Sequence, residues 1–231
     1  MTKNDRPAFG FEVLQQDGAA RRGRLTSGFG AVDTPAFMPV GTAASVKAMM
    51  PEQVASTGAQ IILSNTYHLM LRPGPERVER LGGVRKLMGW DGPLLTDSGG
   101  FQVMSLGPLR NISEQGVSFK SHLDGSIFDL TPERSTQIQH MLDATITMAF
   151  DECTPFPATY NEARASMELS MRWAARSRSA YVARTGYGQF GIVQGSVFED
   201  LRHHSIKALT DIGFEGLSLI HISEPTRRYA I

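Results

Sequence analysis

Residues 94–102 read Leu94-Leu95-Thr96-Asp97-Ser98-Gly99-Gly100-Phe101-Gln102, and the rest of the chain is organised around this stretch. Two apolar residues followed by Thr, Asp and Ser have the pattern of a short buried strand at its carboxyl end, where strand formers give way to turn residues. Gly99 and Gly100 let backbone amides approach a ligand with no Cβ in the way. Phe101 adds a flat apolar face. An acid, backbone donors and an aromatic ring within five residues suit a planar polar ligand such as a nucleobase, which needs stacking on its face and hydrogen bonds along its edge. Asp97 is the leading candidate for chemistry. Taken alone the string also fits a tight turn after a core strand, so its meaning depends on its surroundings.

Upstream, Phe9 to Thr26 flanks Asp17-Gly18, a dipeptide suited to a hairpin turn because glycine tolerates positive φ. Ala36 to Val40 is expected to be a short strand ending at Gly41. A helix opens at Pro51 and closes at Gly58, and Gln60 to Leu63 is the next strand, running into Ser64-Asn65-Thr66-Tyr67-His68. A poorly periodic helical stretch covers Glu76 to Met88. Downstream, Val117 to Leu130 alternates around Asp124-Gly125 as a second hairpin. Thr131-Pro132-Glu133 starts a helix in the order cap, proline, acid, with Ile138, Met141, Leu142 and Thr145 on one face. Ile146 to Phe150 is an apolar strand presenting Asp151-Glu152-Cys153. Thr159 and Glu162 have capping-box spacing before a helix whose inner face is Ala163, Met167, Met171 and Ala174. Phe190 to Val193 ends at Gln194-Gly195-Ser196. Ser196 and Glu199 repeat the capping-box spacing before a helix that Gly213 closes.

Strand, loop and helix recur with polar residues at each strand's carboxyl end, which is the pattern of parallel α/β architecture. A (β/α)8 TIM-type barrel is favoured over an open sheet, because no Gly-rich dinucleotide fingerprint follows the first strand and five successive loops each offer a site residue. The barrel is expected to be incomplete, with five strands, a doubtful sixth and two β-hairpin insertions. No linker-like segment is visible, so the chain reads as one domain.

Lys plus Arg and Asp plus Glu both number 23, so composition carries none of the basic excess that usually marks a nucleic-acid partner. Arg21, Arg22 and Arg24, and again Arg172, Arg176 and Arg178, read as solvated faces. No apolar run approaches the length of a membrane span and no leader is visible, which points to the cytoplasm. The single cysteine, Cys153, excludes an internal disulfide and any multi-cysteine zinc site built from this chain alone. It reads as a small buried residue. His203 and His204 are adjacent on a helix and cannot share a face as metal ligands would. His122 falls in the hairpin and His140 on a helix, neither with a partner in the sequence. Trypsin-type proteases carry a string like Asp97 to Gly100, but with Gly before the Asp and Pro after the glycines, where this chain has Thr96 and Phe101.

Five segments, MPVGTAASVK from Met38, LSNTYHLMLRPG from Leu63, LLTDSGGFQVMSL from Leu94, FDECTPFP from Phe150 and IVQGSVFEDLR from Ile192, together resemble bacterial tRNA-guanine transglycosylase, the queuine tRNA-ribosyltransferase family. The resemblance covers roughly Phe9 to Gly216 and corresponds to the family's amino-terminal part, which sets the bounds of the domain at residues 1–216, with residues 217–231 as a tail that departs from the family. It implies exchange of the anticodon wobble guanine of tRNA for a 7-deazaguanine, a queuosine precursor, by double displacement at the ribose anomeric carbon. It further implies Asp97 as general acid/base, Ser98, Gly99 and Gly100 beside the base, Phe101 stacking on it, and Asp151 and Gln194 reading its edge. Asn65 and His68 are read as support for the pocket and a dimer surface. The chemistry agrees with these roles. A carboxylate at Asp151 can accept from a guanine ring N–H and its amino group together, and the Gln194 amide can donate to its carbonyl.

The family also implies a homodimer and a zinc site. After Gly216 it continues with a Gly-Gly-Leu strand, the nucleophilic aspartate, an RNA-contacting segment and a cysteine-rich zinc site completed by histidine. This chain instead reads LSLIHISEPTRRYAI from Leu217. The expectations are that it carries no metal ligands, is inactive alone, and exposes apolar surface shaped for missing strands. Three other readings stay open: a non-catalytic base-binding or partner subunit, a decayed or artefactual fragment, and a glycosidase using Asp97 and Asp151 as paired carboxylates.

Overall fold

The computed structural model describes residues 6–105 and 110–219. The tail from Ile220, including the HISEPTRRYAI segment, therefore lies outside the described residues. In chain order the elements are β1 (Gly10–Asp17), β2 (Ala20–Ser27), β3 (Gly30–Thr34), α1 (Pro51–Ser56), β4 (Ile62–Ser64), α2 (Thr66–Leu71), α3 (Pro75–Arg80), α4 (Val84–Met88), β5 (Leu94–Thr96), α5 (Gly100–Ser105), β6 (Arg110–Ile112), β7 (Val117–Lys120), β8 (Ile127–Leu130), α6 (Pro132–Met141), β9 (Ile146–Met148), α7 (Tyr160–Ala180), β10 (Gly188–Ile192), α8 (Glu199–Ile212) and β11 (Gly216–Ser218). The chain divides into two compact units, one of Met1–Asp97, Gln137–Thr147 and Val182–Gly188, the other of Ser98–Thr136, Met148–Tyr181 and Gln189–Ile231.

In the first unit β1, β2 and β3 form an antiparallel sheet, with Asp17 opposite Ala20 across the predicted Asp17-Gly18 turn. The hairpin expected from the sequence thus gains a third strand, β3, paired to β2 from Gly23↔Thr34 to Ser27↔Gly30. β5 pairs in parallel with β4 (Leu63↔Leu95) and with β9 (Leu95↔Ile146). The expected strand at Ala36 to Val40 reduces to a single parallel bridge, Val40↔Leu63. Its ladder is held by Leu63 N–H to the Pro39 carbonyl and Gly41 N–H to the Leu63 carbonyl. Prolines at 35 and 39 have no N–H to give, which stops it lengthening. The helical stretch from Glu76 to Met88 breaks into α3 and α4 at Gly82 and Gly83, both at φ near +90°, where L side chains are disfavoured. Ile62, Leu69, Val78, Val84, Leu94, Ile138 and Leu142 are fully buried and make up much of this unit's interior.

In the second unit β6, β7 and β8 form another antiparallel sheet, so the Asp124-Gly125 hairpin also has a third strand. β10 and β11 pair in parallel from Phe190↔Gly216 to Ile192↔Ser218, which makes the doubtful sixth strand a real one. The capping box at α7 is present, with Thr159 N–H on Glu162 Oε2 at 2.8 Å and Glu162 N–H on Thr159 Oγ1 at 3.4 Å. Such a box contributes about 1 kcal/mol. Ala163, Met167, Met171 and Ala174 are buried as their spacing predicted, packing with Ala149, Val193, Leu201 and Leu209. Phe150 stacks on Trp173 with ring centroids 5.0 Å apart. The second expected capping box is absent. α8 opens two residues later, at Phe198, because Gly195 and Ser196 take left-handed conformations (φ +117° and +51°) that a helix cap cannot use.

Five parallel strands are described, β4, β5, β9, β10 and β11, each except β11 followed by a helix within the described residues. The α/β class and parallel pairing hold.

Candidate functional site

In the first unit β4 and β5 end side by side, and the residues that follow them meet. Asp97, 9% exposed, receives two donors on its carboxylate, Thr66 N–H on Oδ1 at 2.8 Å and Asn65 Nδ2 on Oδ2 at 2.5 Å. The Thr66 hydroxyl also donates to the Asp97 carbonyl at 2.6 Å, and Asp97 N–H donates to the Ser64 carbonyl at 3.3 Å. The main chain and side chain of Asp97 are therefore both fixed by the turn from β4 into α2. A buried carboxylate set in one orientation by neutral donors is suited to taking up and returning a proton at a defined place.

The second unit builds a separate constellation around Asp151, 4% exposed, just past β9. The Ser98 hydroxyl donates to Oδ1 at 2.8 Å, Gln194 Nε2 donates to Oδ2 at 2.8 Å, and the Cys153 thiol approaches Oδ2 at 3.7 Å. Gly100 N–H donates to Ser98 Oγ at 3.1 Å, so this amide orients the serine that holds the acid. Gly99 sits at φ +87° in the turn before α5, and Phe101, half-buried, is the second residue of that helix. Each carboxylate oxygen has two lone-pair directions and each amide nitrogen two hydrogens. Asp151 and Gln194 thus present an acceptor and a donor side by side, oriented by their mutual bond.

Gly100 also meets a packing demand within the fold. A Cβ placed there would stand 2.5 Å from the Asp151 carbonyl oxygen and 3.0 Å from Oδ1. The residue is glycine so that the Asp151 backbone can come close.

Burial and the neighbouring Asp151 carboxylate push the Cys153 thiol well up, so it is a proton donor and no nucleophile at neutral pH. Burial also raises the Glu152 carboxyl. A cavity of about 540 Å3 opens beside Glu152, lined also by Glu114, Thr154, Ser166 and Arg172; Asp151 and Gln194 are not among its lining residues. Among the described residues no group of three or more His, Cys, Asp or Glu could hold a metal ion. With its only cysteine turned toward Asp151, the described part does not fit a cysteine-rich zinc site. No described helix is long and apolar enough to cross a membrane.

The structure thus joins four of the sequence candidates, Ser98, Gly100, Asp151 and Gln194, in one hydrogen-bonded cluster, and sets Asp97 among Asn65 and Thr66. Thr66 was missed by sequence reasoning. Its position just after a strand end was the available signal. His203 and His204 are exposed, as expected, while His140 is partly buried on α6 and its pKa is lowered to about 4 by burial and by Arg184.

Comparison with known proteins adds the following. The family model described as queuine tRNA-ribosyltransferase matches residues 16–226. Proteins named queuine tRNA-ribosyltransferase from Rickettsia felis and Rickettsia akari are 61% and 60% identical to this chain over 211 residues, 91% of the chain and 58% of each relative. One from Rickettsia bellii is 60% identical over 91% of the chain and 59% of its own length. The chain spans less than two thirds of the length of these relatives.

Proposed function

The chain belongs to the queuine tRNA-ribosyltransferase family, and on that premise we propose that it carries the base-recognition and acid–base part of a tRNA-guanine transglycosylase. Such an enzyme exchanges the wobble guanine of a tRNA anticodon for a 7-deazaguanine by double displacement at the ribose anomeric carbon. The observation that carries the reading is the Asp151 carboxylate, buried and oriented by the Ser98 hydroxyl and the Gln194 amide. Guanine presents an N–H and an amino group on adjacent atoms of one edge, and a carboxylate matches that pair. Gln194 has an N–H left for the base carbonyl. Phe101 is the stacking face and Gly99 the turn beside it.

Asp97 is the general acid/base. Its carboxylate is fixed by Asn65 and Thr66, and it is the residue that hands a proton to the departing base and removes one from the incoming base. The attacking carboxylate of a double displacement is assigned to no described residue, since Asp97 and Asp151 are both engaged as above. Homodimerisation, a cytoplasmic setting and tRNA as partner belong to this reading.

The test is calorimetric titration of the 231-residue chain with guanine and with adenine, which lacks the ring N–H that Asp151 would accept. Guanine is expected to bind at least tenfold more tightly, a difference of about 1.4 kcal/mol. Asp97→Asn should leave that preference intact, since its role is proton transfer. Equal affinity for the two bases would overturn the recognition reading.

A further inference from the structure

Asp151 and Gln194, which read the base in this proposal, and Ser98, which orients Asp151, lie on loops, yet each loop's main chain is tied to a buried serine on a helix. Ser135 of α6 donates to the Ser98 carbonyl at 2.7 Å. Ser177 of α7 accepts Phe150 N–H at 3.0 Å, and Ser170 of the same helix accepts Glu152 N–H at 3.0 Å, so the residues on both sides of Asp151 are held. Ser205 of α8 accepts Gln194 N–H at 3.0 Å. All four serines are at most 1% exposed.

A peptide group past the end of a strand has lost its ladder partner, and leaving it buried and unpaired costs about 1–3 kcal/mol. Water could serve such groups only in a roomy polar cavity. Here the partner is instead a short side chain whose own Cα is fixed in a helix, which leaves the amide little freedom. Ser170 and Ser177 are seven residues apart, two helical turns, and Trp173 between them on that face stacks on Phe150. Thr154 donates to Ser166 at 2.7 Å, one turn before Ser170, and extends the contact along the loop. One helix face thus templates residues 150–154.

We propose that Ser135, Ser170, Ser177 and Ser205 are positioning residues, which set the orientation of Ser98, Asp151 and Gln194 through their main chains. None of the four touches the base. The inference rests on the base-recognition reading for its purpose, but the tethering it asserts is measurable without any base.

The first measurement is amide hydrogen exchange, resolved by residue, on the 231-residue chain and on Ser170→Ala, Ser177→Ala and Ser205→Ala. The amides of Glu152, Phe150 and Gln194 are expected to be protected in the parent. Each variant should speed exchange at its own partner at least tenfold while the other two amides change less than twofold. Fast exchange at these amides in the parent, or a uniform rise across the unit, would overturn the proposal.

The second measurement separates positioning from general destabilisation. Hypoxanthine keeps the guanine ring N–H but lacks the amino group, so the ratio of the two affinities reports how well Asp151 is aimed. Ser170→Ala should lower guanine affinity about tenfold and compress that ratio. Ile138→Val, a core substitution on α6 that weakens the fold, and Ser179→Ala, at an exposed position of α7, should leave the ratio unchanged. A ratio unchanged in Ser170→Ala would refute a positioning role. If the parent binds neither base, the recognition reading fails on its own, and the exchange data still decide whether the serines hold the loops.

Discussion

Two aspartates, Asp151 and Asp143, each collect several donors, but the chemistry of those donors differs. Asp143 pairs with guanidinium groups, Arg85 on Oδ2 and Arg184 on Oδ1 at 3.2 Å, and takes the Tyr187 hydroxyl on Oδ1 at 2.7 Å. Both arginines are themselves laid over rings, Arg85 over Phe29 and Arg184 over Tyr187. Asp151 is more buried, and the Ser98, Gln194 and Cys153 groups on it are neutral. A carboxylate neutralised by two arginines has its charge answered within the fold, so it serves structure. Asp151 is instead oriented by the Ser98 hydroxyl and the Gln194 amide, an arrangement that suits recognition of a ligand's N–H groups. The two acids are thereby distinguished by their donors, Asp143 as an anchor and Asp151 as the reader in the proposed function.

The largest test of this contrast exchanges each acid for its amide. Asp151→Asn should cut guanine affinity about 100-fold, or roughly 3 kcal/mol, because it removes a hydrogen-bonded charge from the edge contact. Asp143→Asn should leave guanine affinity within twofold and instead lower the unfolding free energy by roughly 2 kcal/mol, since Arg85, 13% exposed at its side chain, loses its counter-charge. Calorimetry and urea unfolding read the two effects. If the pattern reversed, the anchor and the reader would have been misassigned.

A smaller effect is expected from Gly100→Ala, which forces a Cβ against the Asp151 carbonyl. It should cost about 1–3 kcal/mol of stability through overpacking, and it should weaken guanine binding as well because the displaced group belongs to the reader. Gly58→Ala is the comparison. That glycine is also at positive φ (+84°) but a Cβ there meets nothing, so it should cost roughly 1 kcal/mol with guanine affinity unaffected.

The smallest effect concerns pH on the anchor's side of the comparison. His140 has its folded pKa lowered from 6.5 to about 4 by burial and by the charge of Arg184, one of the two arginines on Asp143. Between these values the unfolded chain binds the proton that the folded chain refuses. The stabilisation is therefore full above pH 6.5 and is lost as pH falls through about 4. After discounting for partial solvent access it amounts to about 1 kcal/mol. His140→Gln should flatten that part of the pH profile of urea unfolding relative to the parent. Parallel profiles would show that folding leaves the His140 pKa unchanged.

What could be read along the chain was local. The Thr159–Glu162 capping box, the apolar face of α7 and the Asp17-Gly18 and Asp124-Gly125 turns depend on residues within a turn or two of one another, and all formed. The Ser196–Glu199 box had the same spacing and did not form, because Ser196 sits at φ +51° and the helix is capped at Phe198 instead. Spacing alone does not carry the backbone's path into the helix. The third strands β3 and β6 were missed for a related reason, since pairing is decided by which segment lies alongside.

The sequence by itself determined that strand ends would carry Asp97, Asp151 and Gln194, because the alternation of apolar runs with polar strand ends is a property of neighbouring residues. It could not determine that Gly100 is small for the sake of Asp151, that Ser98 and Gln194 converge on the same carboxylate, or that serines on three helices hold the loops. Those contacts join residues 11 to 53 positions apart, as in Ser205 to Gln194 and Ser98 to Asp151. They exist because packing brings hydroxyls on helix faces to peptide groups that have run past the last hydrogen bond of their strand, and only the tertiary structure decides which hydroxyl meets which peptide.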